Sequence, residues 1–335
     1  MSFASIGDLA KALQFRTNNA QLRQRLAQSS TEMSTGRSHD ISARLGGNLT
    51  LLAGIERNER RSQVYLRASD VAAAEGDALQ SSLGVLSDFT TALGTDLAGT
   101  AELAMPSAVK TQSIVARQGL DTAIAALNVR VGEGYLLSGQ RSDQKPLPGA
   151  DAMLSALRAA TSGLTTAGDV AAAVDDWFAA PAGDGGFVDF YQGDAGPVTT
   201  HRLSENESVS FGMTATNDAF RSVLAGLAIA SLAGDDSLEP TVQAADMLHQ
   251  ASTRLIGTTD SIAALRSQLG RSEQTIEDVA TRTRANTTAM SLAREKLIGV
   301  DTADAATEVV AVQGQLEALY TLTARVTQMK LVNYL

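Results

Sequence analysis

The sequence predicts a mainly α-helical protein: an elongated antiparallel bundle built from N- and C-terminal arms, with a small inserted α+β domain. Three observations predict it. The six prolines fall at 106, 146, 148, 181, 197 and 240, so the first 105 residues and the last 95 contain none. Proline breaks helices, and its distribution leaves two helix-competent arms around an interrupted middle. A seven-residue apolar repeat runs through the C-terminal arm. The middle carries short β-prone runs and half of the 28 glycines.

The N-terminal arm opens with Ile6, Leu9 and Leu13 on one helical face. Leu22, Leu26 and Met33 lie on another, rotated from the first. A straight helix would not present both faces to one partner, so a bend or stutter is expected between Arg16 and Gln21. Further on, Leu79, Leu83, Leu86, Thr90, Leu93 and Leu97 follow a 4-3-4-3-4 spacing, a single helical face. Leu120, Ile124, Leu127 and Val131 mark a shorter helix.

In the middle, "DAMLSALRAA" and "AGDVAAAVDDWFAA" read as short helices, the second capped by Asp169. Trp177 and Phe178 are the expected anchor of this piece. "GFVDFYQGDAGPVTTHRL" and "ESVSFGMTA" read as three strands of a small antiparallel sheet.

The C-terminal arm has Leu248, Leu255, Ile262, Leu269, Ile276, Thr283, Met290 and Leu297 at intervals of seven. Ala251, Thr258, Leu265, Ser272, Val279, Asn286, Ala293 and Val300 stand three residues later. A helix from Leu248 to Leu297 would run about 75 Å at ~1.5 Å per residue. Its weaker second position calls for a partner helix within the chain. Beyond it, Val309, Val312, Leu316, Leu319, Tyr320 and Val326 fall within about a 120° arc, and apolar patterning persists to Leu335. The organisation expected is residues 1–45 with 301–335 as terminal assembly helices, 46–140 with 217–300 as a helical rod, and 141–216 as the insert.

Composition narrows the function. The 335 residues carry a net charge of −10, which argues against nucleic acid as a partner. Arg23, Arg25, Arg57, Arg60 and Arg61, interleaved with Glu56 and Glu59, read as a solvated mixed face. With no cysteine there is no disulfide, thiolate metal site or cysteine nucleophile. The most apolar window, Val223 to Gly234, is too short to span a membrane, and no secretory signal is visible. The polar faces of the termini lack the lysine and Trp of membrane-surface helices. His39, His201 and His249 are widely separated, and no H-E-x-x-H, P-loop or G-x-S-x-G occurs. Asp175–Asp176 and Gly234–Asp236 have no EF-hand spacing and are read as helix-end and turn residues. The chain is therefore expected to be no enzyme and to bind no cofactor or metal.

Four stretches together resemble the bacterial flagellin and hook-associated protein family. "STEMSTGRSHDIS" (Ser30 to Ser42) resembles its N-terminal Ser-Thr-Gly-Lys/Arg signature. "VDTADAATEVVAVQGQLEALYTLTARVTQMKLVNYL" resembles its C-terminal segment, in which an Asp-led turn precedes a helix ending in "NYL". "GEGYLLSGQRSDQKPL" is similar to an element of the hook–filament junction branch, carried by Tyr135, Leu136, Ser138 and Gly139, with Leu137 where Phe is usual. "DFYQGDAG" is similar to that branch's Tyr-x-Gly-Asp-x-Gly hairpin, at Tyr191, Gly193 and Asp194.

The resemblance implies a structural subunit of the bacterial flagellum. It would be exported unfolded by the flagellar route without signal cleavage and would assemble outside the cell through paired terminal helices. The implied partners are flagellin, the first hook-associated junction protein and copies of the chain itself in a ring-like layer. An export chaperone is expected on the C-terminal helix. On this reading Ile6, Leu9, Leu13, Leu316, Leu319, Val326 and Leu335 form the assembly interface, and both ends order only on assembly. Two other readings stand beside it. One is flagellin itself, the filament subunit. The other is a soluble coiled-coil adaptor, which would be a parallel dimer through Leu248 to Leu297.

Overall fold

Helices fill the proline-free arms. The computed structural model describes residues 6–194, 196, 200–235 and 241–332. The fold is mainly α-helical, and long helices pair the N- and C-terminal regions. By their contacts the residues form two compact units. Residues 1–63 with 284–335 make one, and residues 64–283 make the other.

The first unit begins with α1 (Ile6–Thr35), followed by the short α2 (Ile41–Arg44), and ends with α11 (Thr302–Val332). The first part of α3 (Thr50–Leu103) and the last part of α10 (Thr259–Ile298) also belong to it. α1 packs on α11. The helical assignment runs without a break across Arg16 to Gln21, so the bend expected there does not interrupt α1. A single seam makes it unnecessary. Phe15, Asn19, Leu22 and Leu26 are half-buried and Ser29 is buried, spaced 4-3-4-3.

Gly36 ends α1 in the left-handed conformation, φ +66°, which frees the chain to turn. The chain then meets the end of α10, with Ser38 N donating to the Ile298 carbonyl at 2.8 Å and Val300 N to the Gly36 carbonyl at 2.9 Å. Arg44 Nε adds a bond to the Leu297 carbonyl at 2.9 Å. Arg294 and Glu59 join α10 to α3 within this unit at 3.0 Å.

In the second unit α3 runs against α10 and α9 (Thr241–Gly257). Gln80 Nε2 donates to the Arg266 carbonyl at 3.1 Å, and Ser252 Oγ to the Gly94 carbonyl at 2.6 Å. The predicted faces are the ones buried: Leu79, Leu83, Leu86, Thr90, Leu93 and Leu97 on α3, and Leu248, Leu255, Ile262, Leu269 and Ile276 opposite. The single long helix expected from Leu248 is divided at Thr258. That residue's N–H is shared between the Arg254 and Leu255 carbonyls at 3.1 and 3.2 Å, and its hydroxyl donates to Leu255 at 2.6 Å. The tightened turn follows Gly257, but the heptad continues through it.

Pro106 opens α4 (Pro106–Leu127), which packs with α8 (Asp218–Leu232). Twelve of the fifteen residues of α8 are buried, which makes this apolar window the central helix of the unit. α9 packs on it through Gly226, whose missing side chain admits Leu255. α5 (Ala150–Ala160) and α6 (Ala167–Ala179) also pack against α8, as the sequence-predicted short helices. Thr166, not Asp169, is the N-cap of α6. Its hydroxyl accepts from Asp169 N at 3.1 Å and bonds the Asp169 carboxylate at 2.6 Å, a reciprocal pairing of residues three apart.

The expected three-stranded sheet is absent among the described residues. β1 (Arg130–Val131) pairs with β2 (Gly134–Tyr135), and β3 (His201–Arg202) with β4 (Ser208–Val209), each antiparallel. The first β-prone run is instead a helical turn, α7 (Phe187–Phe190). Asp189 explains the turn, because its carboxylate accepts from Gly183 N and Gly185 N at 2.7–3.0 Å. Phe187 is thereby directed into an aromatic cluster with Trp177 and Phe178. The alternation of Val209, Phe211 and Met213 is real, since all three are buried, but only Val209 is in a strand.

Candidate assembly surfaces

The first surface is the α1–α11 pair. Asp301 starts α11 by accepting from Ala303 N at 2.8 Å, the Asp-led turn seen in the sequence. Ala305, Val309, Val312 and Leu316 are then buried at 4-3-4 spacing, and Leu319 and Val326 continue the line half-buried. Predicted interface residues Leu316, Leu319 and Val326 thus share the seam that holds the two helices of one chain together. Leu13 does not, and is 67% exposed. Leu335 and the side chains of Ile6 and Leu9 lie outside the described residues.

Sequence reasoning missed the outward residues. Val310 is 68% exposed and Leu322 53%. Val310 is hidden in the apolar run Val309 to Val312, and Leu322 stands singly between Thr321 and Thr323, so the periodic pattern marks neither as outward. Tyr320, expected in the apolar stripe, turns its hydroxyl to Arg23, whose Nη2 and Nε donate at 3.0 and 3.3 Å. Those bonds from Arg23, with a smaller one from Asn19, hold the Tyr320 hydroxyl below its ordinary pKa of 10.0.

The second candidate lies in residues 64–283 and is largely buried. Here the motif residues of the two central stretches meet. Asp194 N donates to the Ser138 carbonyl at 2.8 Å, and the Tyr191 hydroxyl to the Leu137 carbonyl at 3.1 Å. Ala215 N reaches the same Leu137 carbonyl at 2.9 Å, and Ser138 Oγ donates back to Tyr135 at 3.0 Å. Gly139 has φ +65° and stands so close to Asp194 that a Cβ would lie 1.8 Å from its carbonyl oxygen. Gly193 is pressed in the same way against Tyr191 and Ser138. Burial, with the Asp194 charge adding to it, pushes the Tyr191 hydroxyl up to about 12. Leu136 is half-buried and lines a cavity beside the motif. This is a knot of backbone and side-chain hydrogen bonds that ties the two central stretches together.

Residues 246–335, from α9 to the C-terminus, match the bacterial flagellin C-terminal helical region. The likeness is to that helical region, over 90 of the 335 residues. No curated protein matches it. In the flagellin region the match takes in both halves of the heptad and all of α11. The Ser-Thr-Gly-Arg signature lies outside it, yet the structure gives that signature a role beside it. Gly36 ends α1, and Arg37 bridges Gly299.

Of the other candidates, His249 is exposed on α9 and His39 is exposed near α2. Asp175 pairs with Arg254 and Asp235 with Arg158, at 2.6 and 2.9 Å. No helix among the described residues is long and apolar enough to cross a membrane.

Proposed function

We propose that this flagellin-superfamily chain is a structural subunit of the bacterial flagellum that forms the layer between hook and filament. In that role it is hook-associated protein 3, the hook–filament junction protein. The observation that carries the assembly role is the α1–α11 pair. Its own seam is closed by Val309, Val312 and Leu316, while Leu13, Val310 and Leu322 remain outward for neighbouring subunits. The junction branch is supported by the motif knot, in which Tyr135, Ser138, Gly139, Tyr191, Gly193 and Asp194 act as one unit.

On this reading the partners are the first hook-associated junction protein below, flagellin above and copies of the chain alongside. Secretion is by the flagellar export route, with a chaperone covering α11 beforehand. Electron microscopy tests the branch. Purified protein is incubated with hooks that already carry the first junction protein, and separately alone in assembly-promoting salt. Binding at hook ends without long filaments is expected. Long filaments from the protein alone would make it the filament subunit instead, and a stable parallel dimer that binds neither would make it a soluble adaptor.

A further inference from the structure

Each helix of the α1–α11 pair carries a second face besides its seam. On α1, Leu13, Arg16, Ala20, Arg23 and Ala27 recur at 3-4-3-4 spacing, and all five are exposed. On α11, Asp304, Glu308, Ala311, Gln315 and Ala318 recur at 4-3-4-3 spacing, again all exposed. The seam is closed by other residues, Leu22 and Leu26 on α1 and Val309 and Val312 on α11, so the second faces stand outside it. Among the described residues, no hydrogen bond or ion pair engages the side chains of Arg16, Asp304 or Glu308. Arg23 gives Nε and Nη2 to the Tyr320 hydroxyl, which positions its guanidinium and leaves the Nη1 hydrogens for a further acceptor.

The two faces are complementary, one cationic and the other anionic. Set antiparallel with Ala20 opposite Ala311, they match position for position. Arg23 falls opposite Glu308, with Asp304 one turn beyond, Arg16 opposite Gln315, and Leu13 opposite Ala318. The two alanines let the backbones approach, and an arginine–carboxylate bond is among the strong ones. A slip of one heptad in one direction sets Ser30 opposite Glu308 and loses the charge pair. A slip in the other direction carries Arg23 and Ala27 past the start of α11 at Thr302. The two helices of one chain cannot make this contact with each other, because they already meet through the seam. The complement of each face is therefore the other face of a second copy.

We propose that the cationic face of α1 in one copy docks on the anionic face of α11 in a second copy, antiparallel, with Ala20 against Ala311. This rests on the assembly reading above and adds to it which faces meet. Because the two faces differ, the contact is heterologous and repeats from copy to copy, closing into a ring where the rotation permits. The chain has no cysteine, so single introduced cysteines report the register. Full-length Ala20→Cys and Ala311→Cys chains are mixed at low ionic strength and oxidised, and the linked dimers are identified by peptide mapping.

The expected result is a mixed disulfide well in excess of the two like pairs, and no excess when Ser30→Cys replaces Ala20→Cys. Glu308→Arg in the Ala311→Cys chain should lower the mixed yield roughly tenfold, as loss of a charge-assisted bond implies, and Arg23→Glu in the other chain should restore it. Salt of about 1 M, which screens charges beyond ~3 Å, should lower the yield with no charge substituted, so a misfolded Arg23 variant would not spoil the test. Like pairs as abundant as the mixed one, or a yield indifferent to both Glu308→Arg and salt, would overturn the contact. Hook binding by a chain that gives no mixed excess would do the same while leaving the junction reading intact, with another protein on these faces. A mixed excess that follows the charges, in a chain that does not bind hooks, would support the contact and sink the junction reading.

Discussion

At Gly139 the backbone takes φ +65° and a Cβ would stand 1.8 Å from the Asp194 carbonyl oxygen. Gly139→Ala must therefore move the 191–194 segment as well as strain its own backbone. A loss of about 3 kcal/mol or more in chemical unfolding is expected. Tyr191 closes the same knot, and its pH dependence has a definite sign. Its hydroxyl titrates at about 12 in the folded chain and near 10.0 when unfolded. Below pH 10 both states are protonated and the contribution is complete. Above it the unfolded chain ionises first, so stability falls as pH rises from 10 toward 12, by about 2 kcal/mol in all. Unfolding followed across that window should show this slope in the wild type and not in Tyr191→Phe. The variant should also lose about 1 kcal/mol at neutral pH from the hydroxyl bond to Leu137. Ala104 is the opposite case. It ends α3 with φ +48°, a conformation that glycine takes without steric cost. Ala104→Gly should raise the melting temperature by a few degrees, about 1 kcal/mol.

Among the elements, the heptad from Leu248 to Val300 was legible because tertiary structure uses it in the simplest way. Leu248, Ala251, Leu255, Thr258, Ile262 and Leu269 are all buried, and exposure returns at the second position at Asn286 and Ala293, near the helix's far end. The hitch at Thr258 could not be read, because it rests on one hydroxyl and one shared amide. The short β-prone run at 187–190 was misread for a different reason. Its aromatic residues suit a buried helical turn as well as a strand, and the choice was made by the Asp189 carboxylate from outside the pattern. The motif residues were legible only as types and spacings. That Tyr191 meets Leu137, and Asp194 meets Ser138 and Gly139, across more than fifty residues has no local signal. For the α1–α11 pair the physics is that of one seam. Leu316→Ala should cost about 2–4 kcal/mol of that pairing. Hydrogen exchange should then rise across both α1 and α11, while residues 64–283 keep their protection.

At the scale of the whole molecule, apolar burial is divided unequally. Among the described residues, the large core cluster draws only on those between Ala72 and Val279, all in the unit 64–283. Among the described residues, the other unit buries little more than Leu52, Ile298, Ala305, Val309, Val312 and Leu316. Each fully buried aliphatic side chain contributes about 1.5–3 kcal/mol, against a cost of about 1–2 kcal/mol for every backbone residue ordered. Two helices of about thirty residues, held by so few such side chains, sit at the low end of local stability. If the chain assembles as proposed, outward Leu13, Val310 and Leu322 would supply the missing burial in contacts between subunits. Limited proteolysis of the free chain should therefore cut within residues 1–63 and 284–335 before it cuts within 64–283, and hook-bound protein should resist at all of them. Val310→Asp and Leu322→Asp should leave the far-UV spectrum unchanged while abolishing binding at hook ends. If both variants bind hooks like the wild type, the outward face is not the one that meets neighbouring subunits, and the assembly role falls back on the seam alone.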